Sequence, residues 1–189
     1  DFAALDARLD VYRAVPGVRV YLDLRAAVPP ADAVEAWRLL LRTTAARYRG
    51  RMAGWVLGAG PADRPRAPVE AFQFHLKSTV VALRTGDEDA FTILAGIGDR
   101  DVEWLTALYA SDIAPFVDAV GLDAGSDPVV VPPVVDAHDP TAAVALFGEA
   151  IGDDPALAAR RLLERQFEML GTRVSAVTYT ATPALVEAA

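Results

Sequence analysis

The sequence predicts an α/β fold, a parallel sheet with helices packed against it. Three observations lead there. Short apolar runs alternate with amphipathic helical stretches, and the unit of run, loop and helix recurs at a spacing of roughly 30 residues. The apolar runs are nearly continuous instead of alternating, as strands buried on both faces require. The chain of 189 residues is long enough for one substantial core, and no linker or composition shift divides it, so residues 1–189 are expected to form a single domain.

Each element follows from its pattern. Residues 2–13 set Phe2, Leu5, Leu9 and Tyr12 on one helical face, and Pro16-Gly17 stops that helix. VRVYLDL (18–24) is rich in β-branched residues and too short for a helix, so it reads as a strand. A helix over 32–48 carries the stripe Trp37, Leu40, Leu41, Thr44, Ala45 and Tyr48. GWVLGAG (54–60) is the next strand. Residues 68–84 repeat the helical stripe with Phe72, Leu76, Val80 and Leu83, and Pro68 suits a first turn. FTILAGIG (91–98) is a strand, and 99–109 form a short helix through Val102, Leu105, Leu108 and Tyr109. VDAVGLDAG (117–125) is strand-like. DPVVVPPVVDAHDP is expected to be irregular, because its prolines oppose a central strand. VALFGEAIG (144–152) is a strand, 155–170 a helix, and VSAVTYTAT (174–182) a final strand. About six strands preceded by a helix fit two architectures. One is an open doubly wound sheet. The other is an eight-stranded barrel without its first two strands, since a whole one needs about 250 residues.

Composition removes several functions. The formal net charge is -8, which opposes binding to nucleic acid or anionic membrane surfaces, both of which reward clustered Lys and Arg. No stretch approaches the roughly 18 apolar residues of a spanning helix. No basic, then apolar, leader opens the segment, so no signal peptide is expected within it. The chain has no cysteine, which excludes thiolate catalysis, disulfides and cysteine-ligated metal while leaving the compartment open. A first residue of Asp1 instead of Met leads us to expect a processed chain or a segment of a longer one.

Most motifs carry ordinary structural readings. A dinucleotide fingerprint needs a third glycine and free amides at a helix start. GAGPAD lacks that glycine and loses an amide to Pro61, and AGIGDRD places Asp99 and Asp101 where they cap a helix and repel phosphate. No cofactor is expected. His75 falls at the edge of a buried helical stripe and reads as a structural histidine. His138 lies between Asp136 and Asp139, and this D-A-H-D cluster reads as a solvated loop in preference to a cation site, so no metal is expected. No G-x-S-x-G elbow exists to seat a hydrolase triad. Carboxylates closing apolar strands stand out: Asp23 in VYLDL, Asp123 in VGLD and Glu149 in VALFGE. The loops after parallel strands all open onto one face, and a charge closing an apolar strand is costly unless it meets a solvated pocket or a partner. Asp23 has Arg19 and Arg25 as sequence-local partners, and Asp123 can cap a turn.

Taken in order, these segments resemble the clan A glycoside hydrolases, (β/α)₈ barrels that cleave glycosidic bonds with two glutamates. VRVYLDLRA is similar to their third strand, and AWRLLLRTTAARYRGRMAGW to the helix leading into the fourth. That fourth strand reads approximately W-E-I-x-N-E-P, over which WVLGAGP aligns. Trp55 and Pro61 match, while Ala59 stands at the asparagine and Gly60 at the acid/base glutamate. WLTALYASDIAPFVDAVGLDAG resembles the run into the sixth strand, with Asp123 near the usual histidine. VALFGEAIG resembles the seventh strand, with Gly148 replacing threonine and Glu149 at the nucleophile; VTYT resembles the eighth. The resemblance implies a partial TIM-type (β/α) barrel of about six βα units, with parallel strands and outer helices, preceded by the barrel's second helix. It implies Glu149 as candidate nucleophile, a binding face of Asp23, Arg25, Asp63, Asp123 and Tyr179, a poly- or oligosaccharide ligand, and contact with other segments of a longer chain. Because Gly60 has no proton to give, the leading expectation is a catalytically degenerate, carbohydrate-binding or scaffold domain. A working glycosidase using Glu149 with Asp63 or Asp123 as acid is the alternative, and a nucleotide-binding open α/β enzyme the third.

Overall fold

The computed structural model describes residues 2–14, 16, 19–24, 33–58, 66–123, 125–150, 157, 160, 164 and 168–180, with Arg13, 148–150 and 177–180 described through their backbone alone. Six strands are found among them: β1 (Tyr21–Asp23), β2 (Gly54–Gly58), β3 (Thr92–Ile97), β4 (Ala119–Asp123), β5 (Ala143–Ala150) and β6 (Val174–Thr180). They form one sheet in the order β1-β2-β3-β4-β5-β6, and every neighbouring pair is parallel. That order has no reversal point. Right-handed crossovers that always advance the same way leave every connecting helix on one side of the sheet. The other side must then curl inward. The chain is a partial (β/α) barrel, and the doubly wound alternative, which needs a reversal in strand order, is set aside.

The helices between the strands are α2 (Val34–Tyr48), α3 (Val69–Gly86), α4 (Val102–Ala110) and α5 (Pro132–His138), with α1 (Phe2–Arg13) ahead of β1. Strand residues alternate between two packed layers, as a period of two dictates. Trp55, Leu57, Leu94, Val120, Leu122 and Leu146 point outward and pack with Leu41, Leu76, Val80, Leu83, Leu105 and Leu108 of the helices. Val56, Ile93, Ala95 and Ala119 point inward, joined by Tyr21, Ala143 and Phe147. Burying a side chain as fully as Trp55 or Leu94, each 1% exposed, contributes about 1.5–3 kcal/mol. The thick outer layer therefore supplies most of the stabilisation.

Several expectations change in detail. Leu40 is 49% and Tyr12 52% exposed, so both leave the stripes predicted for them. On α2 the buried line is Leu41, Thr44, Ala45 and Tyr48, and Leu40 sits about 40° beyond its edge at Thr44. Residues 132–138, expected to be irregular, form α5 with its prolines in the first turn, where the missing amide would have had no helical partner anyway. The helix expected over 99–109 begins as a 3₁₀ turn, Asp99–Asp101, before α4. Leu157, Arg160, Glu164, Glu168 and Met169 are helical, in agreement with a helix ahead of β6. No helix among the described residues is long and apolar enough to cross a membrane.

Candidate active site at the carboxyl end of the sheet

In a parallel barrel the carboxyl ends of the strands form the face where loops converge, so the candidate site is built from the inner layer upward. One inner-face row across four strands contains only small residues: Gly58 pairs with Ala95, Ala95 with Gly121 and Gly121 with Ala145. The aromatic ring of Phe147 fills the space they leave. A Cβ added to Gly121 would lie 2.8 Å from Cδ2 of Phe147 and 3.0 Å from Cβ of Ala95, closer than real side chains approach. Gly58 is required for a second reason. Its φ is +118°, and a Cβ there would stand 2.2 Å from the carbonyl oxygen of Ala95, so the chain can leave β2 only through glycine.

A buried ion pair braces the same end of the barrel. Arg66 Nε donates to Asp101 Oδ1 at 3.0 Å and Nη2 to Oδ2 at 2.6 Å, while Nη2 also donates to the carbonyl of Gly96. Both side chains are nearly fully buried, 7% and 2% exposed. Asp101 Oδ2 further accepts the amide of Gly98 at 2.8 Å, and the Arg66 guanidinium lies 5.6 Å from the Trp104 ring centroid. The pair ties the segment before α3 to the register shift between Ala95 and Ile97. Asp99 Oδ1 accepts the amide of Asp127 at 3.0 Å, which links the loop after β3 to the loop after β4. Asp101 thus caps the 3₁₀ turn through the Gly98 amide, while Asp99, expected to cap a helix, instead holds the loop after β4.

The backbones of Asp23, Asp123 and Glu149 lie toward this end of their strands. Asp23 closes β1 and is exposed, in register with Val56 of the inner layer. Asp123 closes β4, half-buried, in register with inner-facing Phe147. Glu149 belongs to β5, where its backbone is in register with Tyr179 of β6. Strand spacing and rise place the α-carbons of Asp123 and Glu149 about 8 Å apart, on adjacent strands. Arg25, Ala59, Gly60 and Asp63 lie outside the described residues. The side chains of Glu149 and Tyr179 likewise lie outside the described part of the chain.

The histidines sit elsewhere. His75 belongs to α3 on the outer wall, half-buried beside Leu24, Trp37, Phe72 and Thr79, and burial lowers its pKa below the ordinary 6.5. His138 stacks on Tyr109, ring centroids 5.4 Å apart and nearly parallel at 5°. Its carboxylate neighbours are engaged: Asp136 pairs with Arg173 at 2.5 Å, and Asp139 Oδ1 accepts Thr141 N and Oγ1 at 3.1 and 2.7 Å. The D-A-H-D stretch immediately precedes β5, at the amino end of the barrel, remote from the strand-end carboxylates. No group of three metal-ligating side chains is found among the described residues. Two contributors escape a sequence reading. Arg66 and Asp101 are 35 residues apart, with no spacing rule to pair them, and the inward turn of Phe147 depends on the glycine across from it.

No family model matches the chain, and no curated protein matches its sequence. Solved structures do match. A glucosidase from Croceicoccus marinus superposes with a TM-score of 0.71 at 15% identity, over 95% of this chain and 45% of that one. A psychrophilic glycoside hydrolase family 10 endo-β-1,4-xylanase gives 0.63 at 14% identity, over 93% and 69%. A sialic acid aldolase from Ruminococcus gnavus, a catalytic lysine mutant, gives 0.56 at 12% identity, over 87% and 54%. The chain thus spans less than half the length of the glucosidase. These likenesses establish the fold alone, a partial (β/α) barrel. An aldolase on the same scaffold shows that chemistry must be argued from residues.

Proposed function

We propose that this protein is a glycoside hydrolase-like barrel that binds carbohydrate at the carboxyl end of its sheet and has lost efficient hydrolysis. One observation supports the reading: acidic residues, Asp23, Asp123 and Glu149, end three of the strands, while the position aligned with the acid/base glutamate is Gly60. Carboxylates are suitable acceptors for sugar hydroxyls, and charge-assisted hydrogen bonds of this kind are stronger than neutral ones. Retaining hydrolysis needs a second carboxyl that protonates the leaving oxygen while the first attacks the anomeric carbon. Glycine cannot supply that proton, and losing a general acid typically removes a factor of about 10²–10⁴ in rate. Asp23, Asp123 and Glu149 then act as ligand contacts, with Arg25, Asp63 and Tyr179 as further contacts on the same face.

A second reading keeps catalysis. The adjacent-strand placement of Asp123 and Glu149 favours it, since an α-carbon separation of about 8 Å is compatible with the carboxyl spacings of glycosidases. In that case Glu149 attacks or activates water, and Asp123 protonates the departing oxygen.

One set of measurements separates the two. Titration with β-1,4-linked gluco- and xylo-oligosaccharides is expected to show saturable binding, weakened about tenfold or more by Asp123→Ala, as loss of a charged hydrogen bond predicts. Aryl glycosides are expected to turn over at background. Turnover at ordinary enzymatic rates, on the order of 1–10³ s⁻¹, abolished by Glu149→Ala, would establish the catalytic reading instead. No binding to any saccharide of the panel would leave a scaffold role. Restoring the aligned pair with Ala59→Asn and Gly60→Glu is expected to raise aryl glycosidase activity measurably above the parent.

A further inference from the structure

Away from the candidate site, the outer wall carries a groove of about 710 Å³ between α2 and α3. The two helices lie side by side, bridged by Arg38 Nε donating to Ser78 Oγ at 2.8 Å. Their groove-lining positions recur every three or four residues: 35, 38, 39 and 42 on α2, and 74, 77, 78, 81, 82 and 85 on α3. The walls are therefore two helical ridges, and the run from Phe74 to Thr85 of α3 gives a channel about 16 Å long. Its apolar surface is open to solvent: Leu39 is 54%, Phe74 62% and Val81 56% exposed. Several large apolar side chains exposed on one face are unusual for a surface without a partner.

Charge says what kind of partner fits. The whole chain has a formal net charge of -8, yet the groove is lined by Arg38, Arg42 and Lys77 against the single carboxylate Glu35. Glu35 is already paired with Arg38 at 2.6 Å. Lys77 Nζ donates to the carbonyl of Ser111 at 2.6 Å and lies 5.6 Å from the Phe116 ring centroid, both neutral neighbours. The surface is thus locally cationic on an anionic protein, which attracts acidic partners and repels basic ones.

We infer that this groove docks an acidic amphipathic helix of about three turns from a partner protein. A third helix is the shape two parallel ridges accept. Apolar side chains at i, i+4 and i+7 would cover Leu39, Phe74 and Val81, and flanking carboxylates would meet Arg42 and Lys77, the helix-in-groove mode of recognition.

The test uses a series of fluorescent helical peptides, about twelve residues long, with a constant Leu/Phe stripe and a flanking charge varied from acidic to basic. Anisotropy titrations against the full chain should show saturable binding for the acidic members, tightening with each added carboxylate and weakening with salt. Phe74→Ser and Arg42→Glu should each weaken it at least tenfold with the melting temperature unchanged. Should either variant unfold, Val81→Ser serves in its place. Equal or tighter binding of the basic members, or full affinity in the groove variants, overturns the inference. A dimer of this chain dissolved by Phe74→Ser overturns it in favour of a second copy. Saturable binding of laurate with no peptide binding overturns it in favour of a small anionic amphiphile.

Discussion

Gly58 and Gly121 show how closely the inner layer constrains single positions. At Gly58 a methyl group would meet both a positive φ and a carbonyl oxygen 2.2 Å away, so Gly58→Ala is expected to cost about 2–4 kcal/mol. Gly121→Ala meets the movable edge of the Phe147 ring and should cost less, about 1–3 kcal/mol. Urea unfolding midpoints will rank the two, and Gly121→Ala paired with Phe147→Leu should recover part of the loss. His75 makes a prediction of a different kind. Burial lowers its folded pKa below 6.5, so the unfolded chain takes up the proton first as pH falls. Stability should decline as pH drops below about 6.5 and level off beneath the folded value. Melting curves between pH 7.5 and 5 should show that slope in the parent and a shallower one in His75→Leu.

Among the elements, the joint between the segment before α3 and the start of α4 is held by ionic chemistry. Asp101→Ala would remove the carboxylate facing the Arg66 guanidinium, whose side chain is 7% exposed, at a cost of about 3–5 kcal/mol. Replacing both partners, Arg66→Met with Asp101→Leu, should be less damaging than Asp101→Ala alone, because both buried charges are removed together. Chemical denaturation of the three proteins decides the order. The amino end of the barrel is also polar and braced: Asp118 Oδ2 accepts both Thr92 N and Oγ1, at 2.7 and 2.8 Å, and pairs with Arg84 at 3.1 Å. That bracing engages Asp118 in holding strands at the end of the sheet opposite to the one that Asp23 and Asp123 close.

For the molecule as a whole, one buried apolar cluster runs from Leu41 in α2 to Val174 in β6. An unbroken core of that extent predicts a single cooperative unfolding transition. Trp37, Trp55 and Trp104 provide the probe, Trp55 being 1% exposed in the middle of the core: tryptophan fluorescence and the far-ultraviolet circular dichroism should change together. Two separated transitions would instead indicate independent units within the 189 residues.

Parallel strands and outer helices were legible in the chain because burial on both faces leaves a periodic apolar record that local sequence must carry. Asp23, Asp123 and Glu149 were legible as strand-end carboxylates for the same reason, since a charge that closes an apolar run interrupts that record. Sequence-local patterning could not choose between a doubly wound sheet and a barrel. Both use the same βα units, and only the pairing order β1 through β6 separates them. Nor could it reveal that Arg66 reaches Asp101, that Phe147 folds over Gly121, or that Leu40 faces solvent. Those depend on which surfaces the folded sheet brings within contact distance. Periodicity records whether a residue is buried, and only the closed packing of the tertiary structure settles against what.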